Sequence, residues 1–237
     1  MKDHDKLKAQ KGTFLALWFL CILGGWSALP YLQHLGLAPS TVSFFLLYTA
    51  QIMLLYGLVC RLSYLLVPKT DLWPFASDKP LKNIVYPGVA AGVFLGAAIY
   101  LLDKTLFKSS LLSDAHPPAW MGLLASFYGA INEEVLLRLF LFTLVYFLLR
   151  KIFRFESQNR LPFLWLANVT AAIVFGLGHL PAAFSIAAPS SFEVFRVLLL
   201  NGVAGIAFGW LYWSRGLYAA MTAHFAADVV LHVILIR

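Results

Sequence analysis

Ile131-Asn132-Glu133-Glu134-Val135-Leu136-Leu137-Arg138 sets three ionisable side chains inside an apolar run that reaches from about Ala119 to Leu149. A charge at the centre of a bilayer costs roughly 2.5–3.5 kcal/mol on insertion scales, so such groups persist there only when they pair or line a water-filled cavity. On an α-helix Glu134 and Arg138 are i,i+4 and pair on one face, whereas Glu133 is turned about 100° away from Glu134. One carboxylate is partnered and the other is left for a different task.

The rest of the chain explains why that run is read as a membrane span. Of 237 residues, 61% are hydrophobic and 12% charged, which excludes an ordinary soluble domain. The expected fold is all-α: a polytopic transmembrane helical bundle, one integral membrane domain over residues 1–237, with its active site inside the bundle and the lipid bilayer as its surroundings. The net charge of +7 resides in the loops between apolar segments. Membrane orientation accounts for it, and a nucleic-acid partner is not expected. Cys21 and Cys60 lie in apolar segments without metal-ligand spacing and read as small fillers.

Seven spans, within a range of six to eight, follow from the apolar runs Gly12–Leu29, Thr41–Val67, Ile84–Leu102, Ala119–Leu149, Leu161–Leu180, Val194–Trp213 and Leu217–Ile236. Gly88, Gly92 and Gly96 form a small-residue face in the third, suited to close helix packing. Pro117-Pro118 stands at the start of the fourth. That central helix spans roughly 46 Å at the α-helical rise against a hydrocarbon core of about 30 Å, so it must tilt or protrude. With the N-terminus in the cytosol, the cytosolic loops hold thirteen Lys and Arg and the opposite loops only Lys104, Lys108, Arg196 and Arg237. The positive-inside rule therefore puts the N-terminus inside.

Two further polar sets interrupt apolar runs. Phe175-Gly176-Leu177-Gly178-His179 closes the fifth span, and His224-Phe225-Ala226-Ala227-Asp228 lies in the seventh. His224, Asp228 and His232 share a helix face at i,i+4,i+8. Pro181 is expected to break the fifth helix, leaving Ala182–Phe192 to return through protein-lined space. Helical rise puts Glu133 and His179 about 25 Å from the cytosolic ends of their helices and His224 about 12 Å from its own. The levels meet only if the fourth and fifth helices project into the cytosol.

Taken together, Glu133-Glu134-x-x-x-Arg138, Phe175-x-x-x-His179 and His224-x-x-x-Asp228, in this order on three separate helices, resemble the CAAX prenyl protease and bacteriocin-processing family of intramembrane proteases, also called abortive-infection proteins. The resemblance covers about residues 119–236. It implies hydrolysis of a peptide bond near the membrane without a covalent enzyme intermediate, in a bacterial or archaeal cytoplasmic membrane. Glu133 is then the general base, His179 helps to position the water, and Glu134 with Arg138 is the structural pair. His224 and residue 228 stabilise the oxyanion. The prenyl-protease form carries Asn at the last position, whereas Asp228, when ionised, only accepts hydrogen bonds. Implied substrates are CAAX-like tails, leader peptides or C-terminal anchor segments, each a peptide or protein with a membrane-associated part.

No cofactor is required by this reading. The alternative is a zinc protease with Glu133, His179 and His224 as ligands and an open position for water. Outside protease chemistry, the same groups suit a proton path in a small transporter or a non-catalytic membrane scaffold. The absence of internal repeats speaks against the transporter, and the unpartnered Glu133 against the scaffold.

Overall fold

The computed structural model describes residues 3–75, 80–107, 117–186 and 188–235, with side chains from residue 11 onward. Lys2, Lys79, Lys108 and Arg237 of the charge count, the side chains of Lys6 and Lys8, and the end of the seventh span at Ile236 lie outside what is described. The described residues are helical without strands: α1 (Asp3–His34), α2 (Val42–Leu66), α3 (Lys82–Leu106), α4 (Ala119–Tyr128), α5 (Thr143–Phe153), α6 (Leu161–Ile186), α7 (Ser191–Arg215) and α8 (Leu217–Val229). α4 and α5 are the two ends of one continuous rod over 119–153, joined by wider turns. Six other helices are long and apolar enough to cross a membrane. With the central rod they make the seven expected spans.

The surface is apolar where lipid would lie, with Leu47, Leu54, Phe94 and Ile173 all exposed. In the interior small residues allow close approach. A Cβ at Gly96 would stand 2.9 Å from the Ala227 carbonyl, and one at Gly92 would collide with the Ala223 carbonyl, so α3 and α8 pack nearly backbone to backbone. α1 belongs to the same core, burying Phe14, Leu17 and Cys21 against α2 and α4.

The expected break at Pro181 does not occur. α6 runs through it to Ile186, and α7 starts five residues later, at Ser191, under a capping box between Ser190 and Glu193. That box fixes the start of α7 and leaves no chain for a re-entrant stretch. Pro181 falls close to the end of α6, where one lost backbone bond is tolerated as it is at Pro30 and Pro87 inside α1 and α3.

Of the projection expected for the fourth and fifth helices, that of the fourth is present, while α6, whose Trp165 lies 4.9 Å from Trp213, starts only four residues beyond the level of that contact. Tyr212 bonds Thr143 at 2.8 Å and Trp213 lies 5.7 Å from Phe142, so α7 ends level with the start of α5. Residues 144–153 extend beyond it by about 15 Å at the helical rise. The resulting step is bridged by residues 67–75. Asp71 accepts from Tyr146 at 2.8 Å and pairs with Arg160 at 3.0 Å and Arg150 at 3.2 Å, and the Pro74 carbonyl accepts Leu217 N–H at 2.8 Å. At the opposite end Arg196 holds Asp103 through two bonds of 2.6 and 2.8 Å, tying α3 to α7.

Burial pushes the Asp71 carboxyl up, but the bonds from Tyr146 and Arg160 outweigh it and hold the group below its usual range. A depressed folded value contributes stability that is complete above the unfolded pKa of about 3.9 and is lost as pH falls through the folded value. Asp71→Asn is therefore expected to lower the melting temperature by a few degrees at pH 7, with the gap to wild type closing below about pH 4. A gap independent of pH would show that Asp71 acts through shape alone.

Candidate active site

The central rod abandons α geometry where its polar residues stand. Gly129–Glu133 and Val135–Phe142 form π turns, whose i→i+5 bonds widen the helix and advance each residue by less than the α-helical 100°. Apolar periodicity predicts a plain α-helix there. The widening brings the two glutamates closer to one direction than an α-helix allows, and both face α8.

His224 receives them. Its Nδ1 donates to Glu134 Oε1 at 2.8 Å, while its Nε2 lies 3.7 Å from Glu133 Oε2 and 3.6 Å from Asp228 Oδ2. Glu134 also pairs with Arg138 at 3.2 Å, both side chains being fully buried, and Arg138 Nη2 donates to the Gly205 carbonyl at 3.2 Å. The spacing-based pair thus exists, with His224 as a third member. Glu133 keeps a 21% exposed side chain and Asp228 one of 17%, so the free carboxylates are those with access to solvent.

Aromatic rings wall the charges off. The Arg138 guanidinium carbon sits 4.9 Å from the Phe175 ring and 5.6 Å from that of Phe208, where the ring faces attract the cation. The imidazole of His224 stacks on Phe208 at 4.4 Å. His179 belongs to a neighbouring position: its Nδ1 bonds the Phe175 carbonyl at 2.9 Å, and its ring lies 4.8 Å from Phe175, which in turn lies 5.7 Å from His224. His179 makes no hydrogen bond or ion pair to Glu133, His224 or Asp228 among the described residues. His232 stands in a π turn over Val230–Ile234, edge-on to Tyr31 of α1 at 6.1 Å.

The Glu133, His179 and His224 set considered for zinc is not gathered in this arrangement. Among the described residues no three His, Cys, Asp or Glu side chains are placed to hold a metal ion. His224 Nδ1 bonds Glu134 and His179 Nδ1 bonds the Phe175 carbonyl, which leaves both Nε2 atoms open to a ligand.

Three contributors escape sequence reasoning. A Cβ at Gly129 would stand 2.5 Å from Asp228 Oδ2 and 3.0 Å from His224 Nε2, so this glycine makes room for the site. Phe208 supplies the stacking face, yet in the sequence it is one aromatic among twenty phenylalanines. Asn132 donates to the Cys21 carbonyl at 2.8 Å and anchors the motif to α1. Its signal was available, since an amide inside an apolar run needs a partner.

Removing one member of a buried ion pair strands the other, at a cost of about 3–5 kcal/mol, whereas replacing both is often nearly neutral. Arg138→Met and Glu134→Gln are each expected to lower thermal stability in detergent strongly, and the double variant to recover most of the loss. Additive losses in this cycle would show that the two side chains are not coupled.

Residues 115–230 match the family described as "Rce1-like: Type II CAAX prenyl endopeptidase Rce1-like". No curated protein and no solved structure matches the chain. The matched span holds the π-turned glutamates, the Phe175–His179 turn and the His224–Asp228 turn, the three elements that the bundle packs together. The match covers 116 of the 237 residues and supports a place for the chain among the CAAX protease and bacteriocin-processing family of intramembrane proteases.

Proposed function

We propose that this chain hydrolyses a peptide bond near the membrane with a water activated by Glu133. The observation that carries the reading is the gap between His224 Nε2, Glu133 Oε2 and Asp228 Oδ2. At 3.7 and 3.6 Å these atoms are too far apart for direct hydrogen bonds and suitably spaced for a bridging water.

In that position Glu133 takes a proton from the water as its oxygen attacks the scissile carbonyl carbon. The C=O electrons move onto oxygen, and collapse of the tetrahedral intermediate breaks the C–N bond while the Glu133 carboxyl passes its proton to the departing amine. General base catalysis of this kind supplies about 10²–10⁴-fold. The Glu134 bond fixes the proton of His224 on Nδ1, so Nε2 donates to the developing oxyanion only from the doubly protonated ring. Three carboxyls against Arg138 and a protonated His224 leave one excess negative charge, which a proton on Asp228 removes. Asp228 in its acid form is then a second donor to the oxyanion, in the place where the prenyl-protease pattern has Asn. His179, with its Nδ1 proton committed to the Phe175 carbonyl, offers Nε2 as an acceptor for water or a substrate N–H.

The substrate on this reading is a prenylated C-terminal tail, a leader peptide or a C-terminal anchor segment. The N-terminus is cytosolic, and the site opens toward the end of the bundle that carries Arg215. Thiol labelling of Ser214→Cys from the cytosolic side and of Ser190→Cys from the opposite side tests that orientation, and the reverse pattern would overturn it.

Cleavage of a membrane-anchored peptide library by purified protein tests the chemistry. Wild type should cleave with and without a strong zinc chelator, and Glu133→Gln should lose at least about 10²-fold in rate while folding normally. Wild-type rates from Glu133→Gln would remove the glutamate base, and chelator-sensitive cleavage would replace it with a metal. Gly129→Ala, which adds one methyl group beside Asp228 and His224, should reduce the rate with little change in substrate binding.

A further inference from the structure

The step between the central rod's projecting end and the α7–α8 turn borders a half-open cavity of about 550 Å³, none of whose lining residues is one of the glutamates. Asp71, Trp73, Ser157, Arg160, Leu164 and Trp213 line it. Its charge follows from the sequence. Residues 150–160 bring four basic side chains and one acidic, and Lys69 stands close by over the Phe147 ring. Asp71 is the one carboxylate in the lining, and it serves two guanidiniums, those of Arg150 and Arg160. It engages Arg160 only through Nη1, leaving the remaining N–H donors of that group for a ligand. Arg160 is the one cation of the lining and offsets Asp71, and Arg150 on the far side of Asp71 gives the three-residue cluster one net positive charge, with the free N–H donors of Arg160 facing the cavity.

Its surroundings select the kind of ligand. Trp73 is 71% exposed at the mouth, and the adjoining outer surface is apolar, with Ile152, Phe153, Leu161 and Trp165 all exposed. Tryptophan and arginine beside an apolar belt mark the level of the lipid headgroups. A phosphate on the free donors of Arg160, backed by the Asp71–Arg150 pair, with acyl chains lying along that belt, satisfies both halves of the surface. We propose that this cavity binds the phosphate headgroup of an anionic membrane lipid. The same 67–75 segment holds the first residue of α8 through Pro74 and Leu217, so an occupied cavity would also brace the helix that carries His224.

The test uses the full chain released from mixed vesicles of phosphatidylglycerol and phosphatidylcholine, with retained lipid counted by native mass spectrometry. Wild type should retain one phosphatidylglycerol at least five-fold in preference to phosphatidylcholine. Arg160→Gln should abolish the preference. Ser157→Asp, which adds a negative charge to the lining on an exposed turn without removing any of the Asp71 bonds, should abolish it even if Arg160→Gln folds poorly. Arg196→Gln, at the other end of the bundle, should leave it unchanged. Equal retention of the two lipids by wild type, or a preference that survives in a folded Arg160→Gln or Ser157→Asp protein, would overturn the proposal. Displacement of the lipid by millimolar inorganic phosphate would reassign the cavity to a soluble phosphate and overturn its lipid occupant. None of these readouts depends on peptidase activity.

Discussion

The fully buried pair of Glu134 and Arg138, closed by His224, is the constraint on which the rest of this bundle depends. In lipid an unpaired charge has no water to turn to, so the pair fixes which faces of the central rod, α7 and α8 can meet. Arg138 must reach the Gly205 carbonyl on α7, and Glu134 must reach His224 on α8. The first contact is lost if α7 rotates or slides by one residue, and the second if α8 does. A buried ion pair adds little net stability compared with apolar residues of the same shape, because desolvation consumes most of the Coulomb gain. Orientation of His224 is the better account of its presence here.

That constraint also explains the unusual backbone. Two adjacent glutamates on an α-helix diverge by about 100°, too far for both to address one imidazole. The π turns narrow the angle, and one residue's two ring nitrogens then face two consecutive side chains. Wide turns have weaker hydrogen-bond geometry and are rare outside functional sites, so the protein sustains them only where neighbours hold them. Asn132 bonded to α1 and Arg138 bonded to α7 are those neighbours, one on each side of Glu134.

Most of the architecture was legible in the sequence because the bilayer leaves few solutions for a chain of this composition. Seven apolar runs became seven rods, and the Gly88, Gly92 and Gly96 face became the contact of α3 with α8. The Glu134–Arg138 pair was readable from i,i+4 spacing alone. Pro181 misled because a proline weakens one turn without ending a helix near its terminus, while Ser190 and Glu193, a start signal of comparable weight, went unread. Gly129 and Phe208 were invisible for a different reason. Their importance lies in what stands opposite them, and a single chain carries no record of its through-space partners.

Asp228 shows how one substitution redistributes charge in such a place. With Asn at this position the cluster would hold two carboxylates against Arg138 and a protonated His224 and would be neutral. Asp228 makes a third carboxyl within 4 Å of the same ring, in surroundings where water is scarce. Like charges this close do not all ionise, so a proton must be shared among them. Glu134 is tied to both Arg138 and His224 Nδ1. Glu133 and Asp228 remain, both partly exposed and both turned toward His224 Nε2. On the proposed mechanism Asp228 carries the proton and Glu133 is the base. On that mechanism an acid and a base stand at one point, each set against the same ring nitrogen of His224.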